Sequence, residues 1–305
     1  MKITFLEHNK IDNEKWDNCI DNAFNGIVYA YSWYLDIVCE GWEALIADDY
    51  KFVMPLTCGE KYNIKYLYQP IVTQQLGVFS TEKLDQKIMD IFLSNIPAKY
   101  RFIEISLNSY NKTLHKEYKK SYNKTYQLDL IKPYELLQKA YSTNTKRNIK
   151  KAAGYKLNVI GSPSINDVLD ILYKDNAQVN KGLKEKHFNF LRQIMSNAIG
   201  KGMGQISGVY DEHNDLCAAA FFITSHTKTI FLLAVSSQNG KDKRAMFILI
   251  DDFIRKNADK KITLDFEGSN IPGVARFYSG FGASSCDYLS IRRNRLPFFL
   301  RLLKK

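Results

Sequence analysis

Residues 264–283 have the sequence LDFEGSNIPGVARFYSGFGA, which predicts the end of a β-strand, a turn and a short helix. Asp265 and Glu267 are expected to share one face of the strand, because side chains alternate with period two. The helix carries Tyr278 and stops at Gly-Phe-Gly. This order of elements is suited to hold a phenol over a strand end that carries two carboxylates.

An earlier stretch, residues 230–246, has the sequence IFLLAVSSQNGKDKRAM. A buried strand leads here into a small polar loop, and the loop opens an amphipathic helix. The first backbone N–H groups of a helix are unpaired and its dipole adds partial positive charge, so this geometry binds phosphate. Lys241, Lys243 and Arg244 would add complementary charge. The stretch therefore predicts a loop that binds phosphate or pyrophosphate.

Strand and helix patterns alternate along the whole chain and divide it into two halves. The first half has predicted strands and a predicted helix at residues 43–47, 64–68 and 81–94. A helix is predicted from Pro133 to Ala153, because proline is tolerated at a first helical position. The second half contains the clearest strands, a meander with turns between residues 205–210, 216–224 and 229–235. We predict an α/β (α+β) protein of two domains, residues 1–130 and 131–305.

The composition is that of a globular protein with an excess of positive charge. Apolar residues make up 45% of the 305 residues, and 43 Lys and Arg against 32 Asp and Glu give a net charge of +11. Such an excess favours anionic partners: a phosphorylated cofactor, RNA or an acidic surface. Arg147 and Lys150 lie one turn apart on a predicted helix, where they would bind an acceptor phosphate or carboxylate, or else form a solvated face.

The sequence also predicts where the protein works and what it does not bind. No apolar run approaches the roughly 20 residues that span a bilayer, and the N-terminus meets charge too soon for a signal peptide. The five cysteines form no CxxC pair, and the five histidines have no metal-ligand spacing. We therefore predict a cytoplasmic protein with no membrane span and no metal site.

The meander, the loop before the helix and the ARFYSGFGA segment together resemble the GNAT acyltransferase fold. Within it they resemble the FemAB-type branch, whose members contain two GNAT-like halves. Residues 264–283 resemble the segment of that branch in which an acidic strand end leads to a Tyr-bearing or Lys-bearing helix, and residues 142–159, STNTKRNIKKAAGYKLNV, resemble an earlier segment. The loop departs from the GNAT pattern, since Gln238-Asn239-Gly240 gives one glycine where two small residues are usual.

The resemblance implies two GNAT-like domains, each a mixed, mostly antiparallel sheet flanked by helices, with a degenerate N-terminal domain and the cofactor site in the C-terminal one. It implies an acyl-CoA donor, acetyl-CoA above others, lying along the splayed strand 229–235. Tyr278 would be the acid, Glu267 the base or amine-binding group, and Asp265 would stand behind it. The implied cofactor-binding residues are Leu233, Ala234, Val235, Ser237, Gln238, Asn239, Gly240, Lys241, Lys243, Arg244 and Ala245. The implied substrate-binding residues are Arg147, Lys150 and Phe266.

Three functions stay open at this point. The first is N-acyl transfer from acyl-CoA to an amine acceptor, which is a small molecule or a peptidoglycan precursor. The second is transfer from aminoacyl-tRNA to a cell-wall precursor, as in Fem enzymes; basic patches suit tRNA, but the long helical hairpin of several Fem proteins is missing between residues 165 and 199. The third is a binding protein that kept the fold and lost catalysis.

Overall fold

The structure, a computed structural model, describes residues 1–161, 163–179, 183–268 and 271–298. These residues form two compact units. Unit 1 comprises Met1–Lys124 and residues 286–298, and unit 2 lies within Thr125–Ser285. The two units are defined by contacts within the structure. They do not test the predicted domain boundary after residue 130, which stays a prediction. Within the described ranges, no helix is long and apolar enough to cross a membrane.

Unit 1 contains two sheets and the helices that cover them. Its elements are β1 (Ile3–Leu6), α1 (Asn13–Asn22), α2 (Ser32–Val38), β2 (Glu43–Ala47), β3 (Phe52–Leu56), β4 (Cys58–Lys61), β5 (Ile64–Tyr68), β6 (Phe79–Ser80), α3 (Gln86–Ser94), β7 (Tyr100–Ser106), the first part of β8 (Lys119–Asp129) and most of β14 (Ser284–Asn294), with short 3-10 helices at His8–Lys10 and Val28–Ala30. One sheet has the antiparallel order β1-β2-β3-β6. The other has the order β4-β5-β7-β14, in which β5 and β7 run parallel.

Carboxylate side chains fix where α1 and α3 of unit 1 begin. The Asp12 carboxylate accepts a hydrogen bond from the Lys15 amide at 3.1 Å and caps α1. The Asp85 carboxylate caps α3 in the same way, accepting from the Ile88 amide at 2.9 Å. The predicted start of this helix at residue 81 was therefore wrong, because the cap residue is Asp85. Buried side chains of α3, among them Met89, Phe92 and Leu93, pack in the hydrophobic core of unit 1.

Unit 2 contains one sheet with helices on its faces. Its elements are the end of β8, α4 (Tyr134–Lys139), α5 (Thr143–Ala153), β9 (Asn158–Ile160), α6 (Ile165–Val179), α7 (Glu185–Gly200), β10 (Gly204–Tyr210), β11 (Leu216–Ser225), β12 (Lys228–Ser236), α8 (Gln238–Asp242), α9 (Ala245–Asn257), β13 (Thr263–Asp265) and α10 (Pro272–Ser279). The strand order is β8-β13-β12-β11-β10-β9, and within it β12 and β13 are parallel neighbours. These sheets confirm the predicted α/β (α+β) class.

The core of unit 2 is aromatic on the side of the sheet that faces α9 and α10. Phe222 of β11 stacks on Phe253 of α9 with ring centroids 3.8 Å apart. Phe266 and Phe281, both fully buried, bring the end of β13 and the end of α10 into the same cluster. Offset and edge-on contacts of this kind add to the free energy that burial alone supplies. The aromatic cluster therefore fixes α10 over the end of β13.

The single helix predicted from Pro133 to Ala153 is two helices, α4 and α5. Ser142 separates them, and its hydroxyl accepts a hydrogen bond from the Thr145 amide at 3.1 Å. Its own amide donates to the Gly280 carbonyl at 2.8 Å, so the break is anchored to the end of α10. The prediction was wrong here because serine is a better helix cap than a helix interior residue.

Candidate active site

The parallel pair of β12 and β13 separates after three residues. Their register runs from Lys228 opposite Thr263 to Ile230 opposite Asp265. Strand β12 continues to Ser236 while it stays paired with β11 on its other side. Among the described residues, no strand pairs with the β13-facing edge of β12 beyond Ile230. This edge, residues 231–236, is called the open edge below.

A β-bulge lies at the start of the open edge. Phe221 is opposite Leu233 on β12, whereas the next residue, Phe222, is opposite Phe231, so Leu232 is the extra residue. A bulge bends its strand and changes the direction of the local backbone groups. Bulges occur often beside active sites, where they aim backbone or side-chain groups at a ligand. Beyond Ile230, the bulged strand therefore has one edge that no strand of the described residues pairs with.

Tyr278 of α10 lies at this opening. Its ring stacks on Phe266 at 4.9 Å between centroids and meets Phe231 edge-on at 6.2 Å. The ring centroid of Tyr126, on β8, lies 6.4 Å from that of Tyr278. Burial raises the pKa of Tyr278, and the negative charge of Glu267 raises it further. The hydroxyl therefore stays protonated at neutral pH and is available as a hydrogen-bond or proton donor.

Glu267 follows the end of β13 in an unusual backbone conformation. Its φ angle is 57°, in the left-handed region that residues with a side chain seldom adopt. Strand β13 ends at Asp265, so the period-two alternation stops before Glu267 and the predicted shared strand face was wrong. Burial raises the pKa of the Glu267 carboxyl to about 8. A non-glycine residue in a left-handed conformation next to a cleft is typical of functional sites.

Asp265 holds the backbone at Glu267 in place. One oxygen of its buried carboxylate accepts from the Glu267 amide at 3.0 Å and from the Thr125 hydroxyl. The other accepts from the Gln127 side-chain amide at 2.8 Å, and the Lys228 ammonium group lies 3.5 Å away. A carboxylate with this many donors is fixed in one orientation. Asp265 therefore holds the Glu267 backbone in place, and the catalytic role predicted for it stays a prediction.

Contacts within the protein account for the structure of the predicted phosphate loop. The Ser237 hydroxyl caps α8 by accepting from the Gly240 amide at 3.1 Å. Gly240 is pressed against β11, because a Cβ atom there would lie 1.9 Å from the Cys217 carbonyl oxygen. The glycine is thus explained by close packing of the loop on the sheet. Arg244, with φ 62°, separates α8 from α9, so the long helix after the loop begins at Ala245.

Asp211, in the turn between β10 and β11, contacts this loop, and nothing in the sequence indicated that contact. Its buried carboxylate accepts from the Asn239 amide group at 2.8 Å and forms an ion pair with Lys243 at 2.9 Å. It also accepts from the backbone amides of His213 and Asp215 in its own turn. The hydrogen bond from Lys243 is the main cause that lowers the pKa of Asp211. Two predicted phosphate-binding side chains are therefore already bound to a carboxylate of the protein.

The remaining predicted residues lie in varied surroundings. On β12, Ala234 is exposed, Leu233 is half-buried and Val235 is buried. Gln238 and Lys241 are exposed on α8, and Ala245 is fully buried. Arg147 and Lys150 are exposed on α5, and Arg147 donates to the Asn144 side chain at 2.9 Å. Phe266 is buried under Tyr278, so it supports that ring from the core. The roles predicted for all of these residues stay predictions.

Comparison with known proteins shows similarity in structure. No family model matches the chain, and no curated protein matches its sequence. The crystal structure of FemX matches it with a TM-score of 0.65 at 11% identity, covering 100% of both chains. A conserved protein of unknown function from Bacteroides thetaiotaomicron VPI-5482 matches with a TM-score of 0.60 at 12% identity, over 95% of this chain and 99% of that one.

A third match is the C-terminal domain of a protein from Agrobacterium fabrum that is assigned as a lysylphosphatidylglycerol synthetase. Its TM-score is 0.55 at 10% identity, and the alignment covers 95% of this chain and 94% of that one. The chain therefore has a GNAT/FemAB-like fold, as its resemblance to that group predicted. At these identities the matches establish the fold alone.

Proposed function

We propose that this protein is a transferase that moves an acyl or aminoacyl group from an activated donor to an amine acceptor by direct attack. The observation that carries the proposal is the separation of β12 from β13 beside Glu267 and Tyr278. The open edge offers backbone N–H groups to a donor carbonyl, and the two side chains supply a proton acceptor and a proton donor. The fold shared with FemX supports the same class of reaction.

The reaction follows from these groups. The acceptor amine gives a proton to the Glu267 carboxylate, and its nitrogen forms a bond to the donor carbonyl carbon. Backbone N–H groups of the open edge stabilise the negative charge that develops on the carbonyl oxygen. The bond from carbon to the leaving group then breaks, and the leaving oxygen or sulfur takes the hydroxyl proton of Tyr278. The proton on Glu267 returns to Tyr278 through water, which restores both groups.

The shifted pKa values suit these roles. A carboxyl whose pKa is raised to about 8 is a much stronger base than an ordinary glutamate, so it takes a proton from the neutral attacking amine more readily as the new bond to carbon forms. Burial and the Glu267 charge raise the pKa of Tyr278, which makes the phenol a weak acid. A weak acid protonates an alkoxide more readily than it protonates a thiolate, because the alkoxide is the stronger base. Tyr278 is therefore better matched to an ester donor than to a thioester.

The structure of the loop favours the same donor. In the acyl-CoA reading, Asn239 and Lys243 would contact the donor pyrophosphate, yet both bind the Asp211 carboxylate. We therefore place an aminoacyl ester, such as aminoacyl-tRNA, ahead of acetyl-CoA as the donor. The absence of a long helical hairpin from this chain is no argument against an aminoacyl-tRNA donor, because the FemX chain aligns with this one over its whole length. The net charge of +11 suits an RNA-linked donor as well as it suits CoA.

Acyl-CoA remains the second candidate donor, on one specific observation. The open edge of β12 leads directly into Ser237 and α8, which is the order of elements that the resemblance assigns to acyl-CoA binding. We propose that the amine acceptor is a small molecule or a peptidoglycan precursor.

The test compares two labelled donors with one pool of acceptors. The full chain is incubated with tRNA charged with labelled amino acids, or with labelled acetyl-CoA, and an extract that contains both small-molecule amines and peptidoglycan precursors. Amide products are counted after mild base has removed esters and thioesters. Label from charged tRNA is the expected result, and Tyr278→Phe and Glu267→Gln should each lower the rate by about 10²–10⁴-fold, the usual contribution of acid–base groups.

Matched controls are Tyr155→Phe and Glu135→Gln, two exposed residues of unit 2. Each removes the same atoms as its active-site counterpart and should leave the rate within about twofold, since surface substitutions change stability little. Label from acetyl-CoA alone would favour the second donor. No amide from either donor, or equal losses in the control variants, would overturn the transferase proposal.

A further inference from the structure

A basic pocket lies in unit 1, away in sequence from the residues discussed so far. Its volume is about 630 Å³, and it is lined by Asn63, Ile64, Lys65, Lys99, Arg101, Arg295, Leu296, Pro297 and Phe298. Every described residue of this lining belongs to unit 1. We call it the basic pocket.

Three neighbouring strands place positive charge at the same end of one sheet. Lys65 lies at the start of β5, opposite Tyr100 at the start of the parallel strand β7. Arg101 is the second residue of β7, and its carbonyl accepts from the Arg295 amide at 2.7 Å, directly after β14. The side chains of Lys65, Arg101 and Arg295 are exposed, so their charged groups reach the solvent side of the pocket.

The negative charges near the pocket neutralise only part of this set. Glu43 forms an ion pair with Lys99 at 2.7 Å, and Glu117 forms one with Arg295 at 2.6 Å. For Lys65 and Arg101, no carboxylate of the described residues lies within ion-pair distance. Glu60, opposite Lys65 across the β4–β5 pair, also forms no ion pair with it there. Two cations of the lining are therefore left for a ligand.

A buried arginine adds to the positive potential at this end of the sheet. Arg293, at 6% exposure, lies over the Tyr118 ring and shares Glu117 with Arg295. Its Nε and Nη2 atoms have no hydrogen-bond partner among the described residues. One carboxylate thus serves two guanidinium groups, which leaves an uncompensated charge close to the pocket. Charges in a cleft with low-dielectric walls attract anions more strongly than charges on an open surface.

Apart from Asn63, the uncharged residues of the lining are apolar. Leu296 is buried and Ile64 is half-buried, and they present hydrocarbon surface to the pocket. Phe298 is 78% exposed, an unusual exposure for a phenylalanine at the mouth of a cavity. Ligand sites combine apolar walls with a few placed charges in this way, and a volume of several hundred Å³ is typical of them.

We propose that the basic pocket binds a small phosphorylated ligand. Its phosphate groups contact Lys65 and Arg101, and a ring or other apolar portion packs on Ile64, Leu296 and Phe298. Arginine and lysine are the side chains that bind phosphate most strongly, arginine through paired hydrogen bonds and lysine as a point charge. The site is independent of the proposed transferase function, since none of its residues takes part in that chemistry.

The test measures binding of inorganic pyrophosphate and of ADP to the full chain by calorimetry. The double variant Lys65→Ala/Arg101→Ala should weaken both ligands at least tenfold and leave the melting temperature unchanged, because neither side chain has a charged partner to lose. The control double variant Lys83→Ala/Lys87→Ala removes the same charge from exposed positions of the same unit and should change both affinities less than twofold. Phe298→Ala should weaken ADP at least threefold and pyrophosphate less.

Two results would overturn the proposal. One is no measurable binding of either probe by the unaltered protein. The other is an equal loss of affinity in the two double variants, which would show attraction to overall charge and not a site. Loss of pyrophosphate and ADP binding confined to the Lys65→Ala/Arg101→Ala variant supports the site, whether or not the protein shows transferase activity.

Discussion

The substitution Glu267→Gln should stabilise the folded protein by an amount that grows with pH. Burial raises the pKa of this carboxyl from an ordinary 4.5 to about 8 in the folded state. In the unfolded chain the group ionises near its ordinary value. Between these two pKa values the folded state binds more protons than the unfolded state, so stability falls as pH rises through this interval. Glutamine does not ionise and escapes this loss.

The magnitude follows from the two pKa values. At about 1.4 kcal/mol for each pKa unit, the interval between them corresponds to at most about 5 kcal/mol. The Glu267 side chain is half-buried, so water screens part of its charge. We expect the variant to gain about 2–3 kcal/mol in unfolding free energy, relative to the unaltered protein, between about pH 5 and pH 8.

Urea unfolding at four pH values between about pH 5 and pH 8 measures this difference. The control Glu135→Gln, at an exposed position on α4, should show a small difference that does not change with pH. A difference between Glu267→Gln and the unaltered protein that stays constant over this range would refute the reasoning, because the carboxyl would then titrate alike in both states. A difference that shrinks as pH rises would refute its sign.

Three further predictions concern Tyr278 and two residues of the loop region, Gly240 and Asp211. Gly240→Ala should lower the unfolding free energy by about 1–3 kcal/mol, since its Cβ would overlap the Cys217 carbonyl, whereas Gly273→Ala, with open space around its Cβ, should be neutral or stabilising in the same urea assay. Tyr278→Phe should keep its ring contacts and change the unfolding free energy by less than about 1 kcal/mol while transfer is lost. Asp211→Asn should destabilise the protein at neutral pH, and because ion pairing lowers the pKa of this carboxyl, the difference measured by thermal melting should diminish as pH falls below the ordinary value of 3.8.

Much of the fold could be predicted because short-range patterns determine it. Strands at Glu43–Ala47 and Ile64–Tyr68 begin and end where alternation and turn residues indicate. The meander in unit 2 is also found, since polar turns separate its apolar runs. The short strands β4 and β6 were missed, because four residues or fewer leave too little pattern to recognise.

The candidate site was harder to predict because long-range contacts decide it. Asp211 binds Asn239 and Lys243, which are 28 and 32 residues further along the chain, and no local pattern reveals such a partner. Gly240 is a second example of a residue whose long-range contact the local sequence does not reveal. A glycine in a polar loop before a helix predicts close approach of a phosphate, but here the close approach is made by the Cys217 backbone. Phosphate binding and close packing against a backbone both favour glycine, so both predict the same residue in the sequence.

Asp265 and Glu267 show how the fold separates two similar side chains into different roles. They were predicted as a pair on one strand face, yet the strand ends between them. The Asp265 carboxylate is fixed by Thr125, Gln127 and the Glu267 amide, so it is occupied in holding the left-handed backbone at Glu267. Glu267 is desolvated next to Tyr278, which gives it a pKa of about 8 and makes it responsive to protons near neutral pH. In the proposed function, Asp265 therefore acts through Glu267 as a positioning residue, and the proposed roles of the two carboxyls differ because of the turn that divides them.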